Sequence, residues 1–317
     1  MFNTPILLIA WNRPEKVSKV INAIKKITPN KIYIACDGPI PNNELNQLKV
    51  NETRSTINKE INWKCKLKKY YRKKNYGCKI AVSDAITWFF KNETSGIILE
   101  DDCVPHIDFF YFCEEMLEKY KNDERIWCIS AHNIFRGSNK IKFSYYFSKY
   151  FRCWGWATWS RCWERYDRDI KDWPNLKKQK ILENIFDTKK EINFWEKTFD
   201  GLFYKSFPNT WDYQWTYACL LNSGLTIIPR INLISNIGFD NEATHTFVGK
   251  SDTHNKELNF KKSGIFPLLH PDKIYRNKKG DKIVEALCYS GYPIFSFSYM
   301  KIFLKKIYFK IKLYFWL

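Results

Sequence analysis

Over the first 135 residues the apolar positions switch repeatedly between two periods. Pro5 to Ala10 is a continuous apolar run of strand length, and behind Pro14, which suits a helix's first turn, Val17, Val20, Ile21 and Ile24 recur at helical spacing down to Ile27. Lys31 to Cys36 alternates into the turn Asp37-Gly38-Pro39, which places an acid at a strand tip. After a polar segment, the pattern predicts a strand near Lys68 to Arg72, a turn at Asn75-Tyr76-Gly77 and a helix over Lys79 to Phe90. A short aliphatic strand at Ile97 to Leu99 follows. Phe109, Phe112, Cys113, Met116 and Leu117 then mark a helix to Tyr120, and Arg125 to Ala131 reads as a further strand. Strand and helix in alternation predict an α/β fold, a Rossmann-like, mostly parallel sheet flanked by helices.

The alternation fades after residue 135, where tryptophans crowd in at Trp154, Trp156, Trp159, Trp163, Trp173, Trp195, Trp211 and Trp215. This predicts a second, specificity-bearing subregion. With no internal repeat and no low-complexity linker, residues 1–250 are expected to form one unit with two halves, 1–135 and 136–250, followed by an extension over 251–317. In the extension, Lys301, Lys305 and Lys312 share a helical face, while Phe303, Ile307, Ile311 and Phe315 lie mostly elsewhere. Segment 293–317 is thus expected either to lie as a basic amphipathic helix on an anionic membrane or to pack on the body with its lysines solvated. The uncharged run Ala286 to Met300, interrupted by Gly291 and Pro293, is shorter than the ~20 apolar residues of a membrane span.

Composition narrows the class. A hydrophobic fraction of 45% and an aromatic fraction of 18% exclude a disordered chain. The formal charge of +19 predicts attraction to nucleotide phosphates, nucleic acid or an acidic membrane surface without choosing among them. Ten scattered cysteines, none in a C-x-x-C pair, read as reduced thiols, and Pro5 to Trp11 ends without a cleavage site, so a cytoplasmic location is expected.

The chemistry concentrates in Gly96-Ile-Ile-Leu-Glu-Asp-Asp-Cys-Val-Pro105. An aliphatic strand delivers Glu100, Asp101 and Asp102 to one point, and in open α/β sheets ligands bind at such strand ends. Three adjacent carboxylates repel one another. A hard cation, Mg2+ or Mn2+, bound through one or two of them plus substrate phosphates would remove that conflict, and a solvated acidic turn is the alternative.

The Asn12-Arg13-Pro14 strand end, Cys36-Asp37-Gly38, Leu99-Glu-Asp-Asp102 followed by Asp108-Phe-Phe110, and Ile126-Trp-Cys-Ile-Ser-Ala-His-Asn133 together resemble nucleotide-sugar glycosyltransferases of the GT-A fold. The similarity is to the N-acetylglucosaminyltransferase I family and its bacterial relatives, over about residues 3–250. The resemblance implies a GT-A domain whose first half binds the nucleotide sugar and whose second half faces the acceptor. In that family the last acid of the triplet ligates Mn2+ on the diphosphate of a UDP-sugar. This implies Asp102 as metal ligand, Glu100 and Asp101 as contacts to ribose or donor sugar, Arg13 near the diphosphate and Asp37 at uracil. Arg13 as a solvated helix start and Asp37 as a turn former are the plainer readings.

Within Tyr150 to Trp163, similar to the family's Gly-Trp segment, Gly155 and Trp156 are implied donor-sugar or acceptor contacts, with core packing as the competing explanation. Asn209 to Trp215 resembles the segment carrying the general base, which implies Asp212 in that role; a helix N-cap is the plainer reading, and the two can coexist. Many GT-A enzymes bring a late histidine to the metal or diphosphate, which falls on His245. The expected activity is metal-dependent inverting transfer of a hexosyl or N-acetylhexosaminyl group from a UDP-sugar to a surface glycan or lipid-linked acceptor, at the inner face of the cytoplasmic membrane.

Two other classes are weighed against it. A nucleotidyltransferase shares a similar sheet, yet would show a glycine-rich basic first loop, and Ala10 to Pro14 has no glycine. A nucleic-acid binder is suggested by Lys64, Lys66, Lys68, Lys69, Arg72, Lys73 and Lys74. No recognisable nucleic-acid module accompanies them, so no nucleic-acid partner is expected.

Overall fold

The chain begins with β1 (Ile6–Ala10) and turns through Pro14 into α1 (Pro14–Lys25), whose Val17, Val20, Ile21 and Ile24 are the buried face that the spacing predicts. The computed structural model describes residues 2–134, 142–238 and 264–289. After β2 (Lys31–Cys36), the polar segment forms the 17-residue helix α2 (Glu44–Glu60). Asn43 caps it by accepting from Asn46 N, and it buries only the narrow stripe Asn46, Val50, Thr53 and Ile57. Then come β3 (Lys66–Tyr71), α3 (Gly77–Phe90), β4 (Ser95–Glu100), β5 (Cys103–Pro105), α4 (Ile107–Lys119) and β6 (Ile126–Ser130).

Beyond residue 142 the strands are short: β7 (Tyr145–Ser148), β8 (Trp156–Trp159), β9 (Leu225–Pro229) and β10 (Ile234–Asn236). Five helices lie between β8 and β9: α5 (Ser160–Trp163), α6 (Trp173–Lys178), α7 (Ile181–Ile185), α8 (Lys189–Lys205) and α9 (Asp212–Leu221). After the second undescribed segment, α10 (Lys278–Val284) runs into a π-helical turn, Glu285–Tyr289.

Eight strands form one sheet in the order β3-β2-β1-β4-β8-β6-β9-β7. β3, β2, β1 and β4 are mutually parallel, as are β6 and β9, whereas β8 opposes both its neighbours and β7 opposes β9. The expected architecture, a mostly parallel α/β sheet between helices, is the one observed. Its lysine-rich edge is β3: Lys69 donates to Asn58 and Lys68 to Asn92, and lysines along an edge strand discourage pairing with another chain. That gives the basic run a structural use without nucleic acid.

β4 ends at Glu100, so the acids stand at a strand end as expected, and Pro105 belongs to a separate antiparallel ribbon in which β5 pairs with β10, Ile234 opposite Pro105. The Trp-rich region supplies core as well as surface. One apolar cluster spans the sheet, and a second gathers Trp173, Trp195, Phe199, Tyr217 and Tyr289 under α6, α8 and α9.

All ten cysteines are free, as expected of reduced thiols. Among the described residues, no helix is long and apolar enough to cross a membrane. The expected amphipathic segment 293–317 lies outside the described residues.

Candidate active site

From β1 the connections run outward through β2 to β3, whereas β4 lies on the other side of β1. Such a reversal leaves a crevice beyond the carboxyl ends of the two strands. Arg13 enters it from the end of β1, and Glu100, Asp101 and Asp102 enter from the end of β4. Arg13 Nη1 lies 2.6 Å from Asp102 Oδ2 and 3.3 Å from Asp101 Oδ1, while Trp11 N donates to Asp101 Oδ2 at 3.1 Å. The triplet is therefore not a solvated turn. Burial, then the charges of Asp102, Asp101 and Asp212, push Glu100 up to about 8 against the pull of Arg13. Asp101 is also pushed up by burial, with Arg13 opposing.

Asp37 stands at the end of β2 as expected. Its carboxylate accepts from the backbone N–H groups of Gly38, Tyr76 and Gly77 and from Asn75 Nδ2, at 2.9 to 3.2 Å. These bonds tie the Asn75 to Gly77 turn, and with it the start of α3, to the edge of the crevice. Burial outweighs them and raises the Asp37 carboxyl above its ordinary value. Trp11 Nε1 donates to Gly38 O at 2.9 Å, which couples the ends of β1 and β2.

Asp212 opens α9 but does not cap it; Trp211 holds the cap position, and Thr210 Oγ1 donates to Asp212 Oδ1. The expected N-cap role is thus corrected, since the helix begins at Asp212 itself. Asp212 raises Glu100, and both charges act on the thiols of Cys78 and Cys153. Although far apart in sequence, Asp212 and Glu100 lie close enough for their charges to interact.

Gly155 adopts φ +58°, and a Cβ there would meet Ile234 Cδ1 at 2.3 Å and Leu99 Cδ2 at 3.4 Å, so its requirement is backbone freedom and close packing behind the triplet. Trp156 is 1% exposed. Its ring stacks on Trp211 at 5.5 Å and lies against Trp163, Trp215 and Phe151. It is a core residue and offers no face for a sugar, which corrects the expected contact. Two residues earlier, the half-buried Trp154 stacks on His132 at 4.4 Å. His245 lies outside the described residues. Cys78, Cys153 and Tyr213, none of which the sequence singles out, lie within reach of the Asp212 charge.

Among the described residues, no three His, Cys, Asp or Glu side chains converge as a metal cluster. A hard cation held by one or two carboxylates and substrate phosphates needs no such cluster. The residues fit that kind of site: the donors are carboxylate oxygens, and a Cβ on Gly238 would lie 2.2 Å from Asp102 Oδ2, so glycine keeps the flank of that carboxylate clear. Asp102 is the residue that would hold the ion, with Glu100 and Asp101 beside it.

No family model and no curated protein sequence matches the chain. Among solved structures, it is similar to the mannosyltransferase PcManGT from Pyrobaculum calidifontis, in complex with GDP-Man and Mn2+, at 11% identity and a TM-score of 0.35 over 53% of this chain and 48% of that one. It is also similar to S. aureus TarS 1–349, at 11% identity and a TM-score of 0.38 over 74% and 59%. A cytidylyltransferase from Leptospira borgpetersenii matches at 12% identity and a TM-score of 0.33 over 57% and 73%. The chain spans about half the length of the mannosyltransferase. The expected likeness to the N-acetylglucosaminyltransferase I family is not carried by these matches, which include both sugar and nucleotidyl transferases.

Proposed function

We propose that this chain is a metal-dependent inverting glycosyltransferase that moves a sugar from a nucleotide diphosphate to an acceptor hydroxyl. What supports the reading is the pairing of Arg13 with Asp101 and Asp102 at the reversal of strand order, with Glu100 beside them under the charge of Asp212. Asp102 would hold Mn2+ or Mg2+, which would supply positive charge where the departing diphosphate becomes more negative.

Asp101 anchors Arg13 and Trp11 N, which holds the guanidinium at the mouth of β1. A guanidinium carries five N–H donors, so Arg13 can keep its acid contacts and still meet a phosphate oxygen. Glu100, whose neutral form burial favours, is suited to hydrogen-bond a donor hydroxyl as donor or acceptor. Asp212, on the other side, takes the proton from the attacking hydroxyl, and one base opposite the leaving group suits an inverting displacement. Asp37 braces the turn that borders the nucleotide. The resemblance favours a UDP-sugar carrying a hexosyl or N-acetylhexosaminyl group, and the charge of +19 favours a glycan or lipid-linked acceptor at an anionic membrane face.

Asp212→Asn tests the assignment. The protein should fold and bind UDP with Mn2+ as wild type does, yet lose at least a hundredfold in transfer. Near-normal transfer would remove Asp212 from the mechanism.

A further inference from the structure

Arg152, on the connection between β7 and β8, is a partly buried guanidinium whose hydrogen-bonding capacity is almost unused. Ser130 Oγ donates to its backbone carbonyl at 3.0 Å and fixes the chain there, but the side chain makes one hydrogen bond, from Nη2 to the weak acceptor Cys288 Sγ at 3.2 Å. Its guanidinium carbon also lies 5.7 Å from the centre of the Tyr289 ring. Among the described residues, no carboxylate, carbonyl or hydroxyl accepts from it. By contrast, Arg13, Arg72, Arg168 and Arg276 each meet a carboxylate, and Arg54 and Arg161 donate to backbone carbonyls. The Nε and Nη1 of Arg152 are not among the sealed polar atoms that lack partners, so they keep some contact with solvent.

The stretch of chain carrying Arg152 lies beside that of Asp212: the ring of Phe151, next to Arg152, lies 6.1 Å from that of Trp211, next to Asp212. Cys153, Tyr213 and Tyr289 each feel the charges of both Arg152 and Asp212. Burial pushes both phenols up and keeps them neutral, so they set no negative charge against Arg152. A guanidinium drawn out of bulk water without a counter-ion is costly, and its planar fork matches a carboxylate or phosphate in two-point contact. Arg13 is taken up by Asp101 and Asp102 at the ends of β1 and β4, whereas Arg152 lies on the stretch of chain that packs beside Asp212.

We infer that Arg152 binds an anionic group, a carboxylate or a phosphate, on the acceptor substrate, so that this chain acts on an acidic glycan or sugar phosphate rather than a neutral one. The inference rests on the proposed function and adds the acceptor's charge to it.

Calorimetric titration of the full chain in the presence of UDP and Mn2+ tests it, with glucuronate and glucose 6-phosphate as acidic probes and glucose as the neutral control. At least one acidic probe should bind roughly tenfold or more tightly than glucose, and Arg152→Gln should abolish that preference. Which probe is preferred tells carboxylate from phosphate. Acidic probes that bind wild type no better than glucose, or a preference that survives Arg152→Gln, would overturn the inference. Should Arg152→Gln fail to fold, Arg152→Lys decides: a weakened preference supports the fork, and an unchanged one overturns it. Failure of wild type to bind UDP with Mn2+ would instead overturn the glycosyltransferase reading, and this inference with it.

Discussion

Arg13 Nη1 and Asp102 Oδ2 are 2.6 Å apart, with side chains 14% and 16% exposed, so the cation that answers the acid triplet from within the chain comes from the neighbouring strand end. Removing one partner of a mostly buried pair leaves the other uncompensated. Arg13→Ala is expected to cost about 3 kcal/mol of stability in the absence of divalent ions, measured by urea unfolding. Mn2+ should recover much of that loss by replacing the missing charge at Asp102. A variant as stable as wild type, or one indifferent to Mn2+, would contradict this account of the pair.

Gly238 flanks the same carboxylate. Its Ala variant would place a methyl 2.2 Å from Asp102 Oδ2, so Asp102 must shift. Gly238→Ala should fold and weaken Mn2+-dependent UDP binding by roughly tenfold or more, read by titration. Unchanged affinity would mean that the Asp102 carboxylate is free to adjust.

Trp156 distinguishes core from sugar platform. Its truncation to alanine should cost about 3–5 kcal/mol by chemical denaturation, as large core deletions do. Trp156→Phe should keep acceptor KM near wild type while losing part of that stability. A large rise in KM with stability intact would restore the ring to the binding surface.

What the sequence displayed and what it hid follow from the range of the interactions involved. The α1 stripe and the acids at the end of β4 are local patterns with strong periodicity, and both were legible. Helix α2 was not, because its buried face mixes Val50 and Ile57 with Asn46 and Thr53 and so carries little periodic signal. β7 and β8 are four-residue aromatic strands that look like any cluster of rings. Trp156 misled for a related reason, since tryptophans that fill a core and tryptophans that stack on sugars have the same composition. Arg152 was invisible as a site residue because its isolation from carboxylates depends on Cys288 and Tyr289, more than 130 positions away.

His270 supplies a pH test away from the crevice. Its Nδ1 meets Tyr145 OH at 2.9 Å and its Nε2 lies 3.0 Å from Glu115, yet burial and the charge of Lys119 together outweigh Glu115 and hold its pKa below 6.5. The folded state then binds fewer protons than the unfolded state just below that value, so this contribution to stability is complete above pH 6.5 and is lost as pH falls through the lowered folded value. The melting temperature of wild type minus that of His270→Gln should decline on going from about pH 7 to about pH 5. A difference that grows with acidity would reverse the sign.

The central claim is that Asp102, at the crevice between β1 and β4, links a divalent ion to a nucleotide diphosphate. The most direct measurement is the thermal shift produced by UDP with and without Mn2+, in wild type and in Asp102→Ala. Wild type should gain several degrees from UDP only when Mn2+ is present, and Asp102→Ala should lose that metal-dependent gain. An equal shift without metal in wild type, or an undiminished metal-dependent shift in Asp102→Ala, would contradict it.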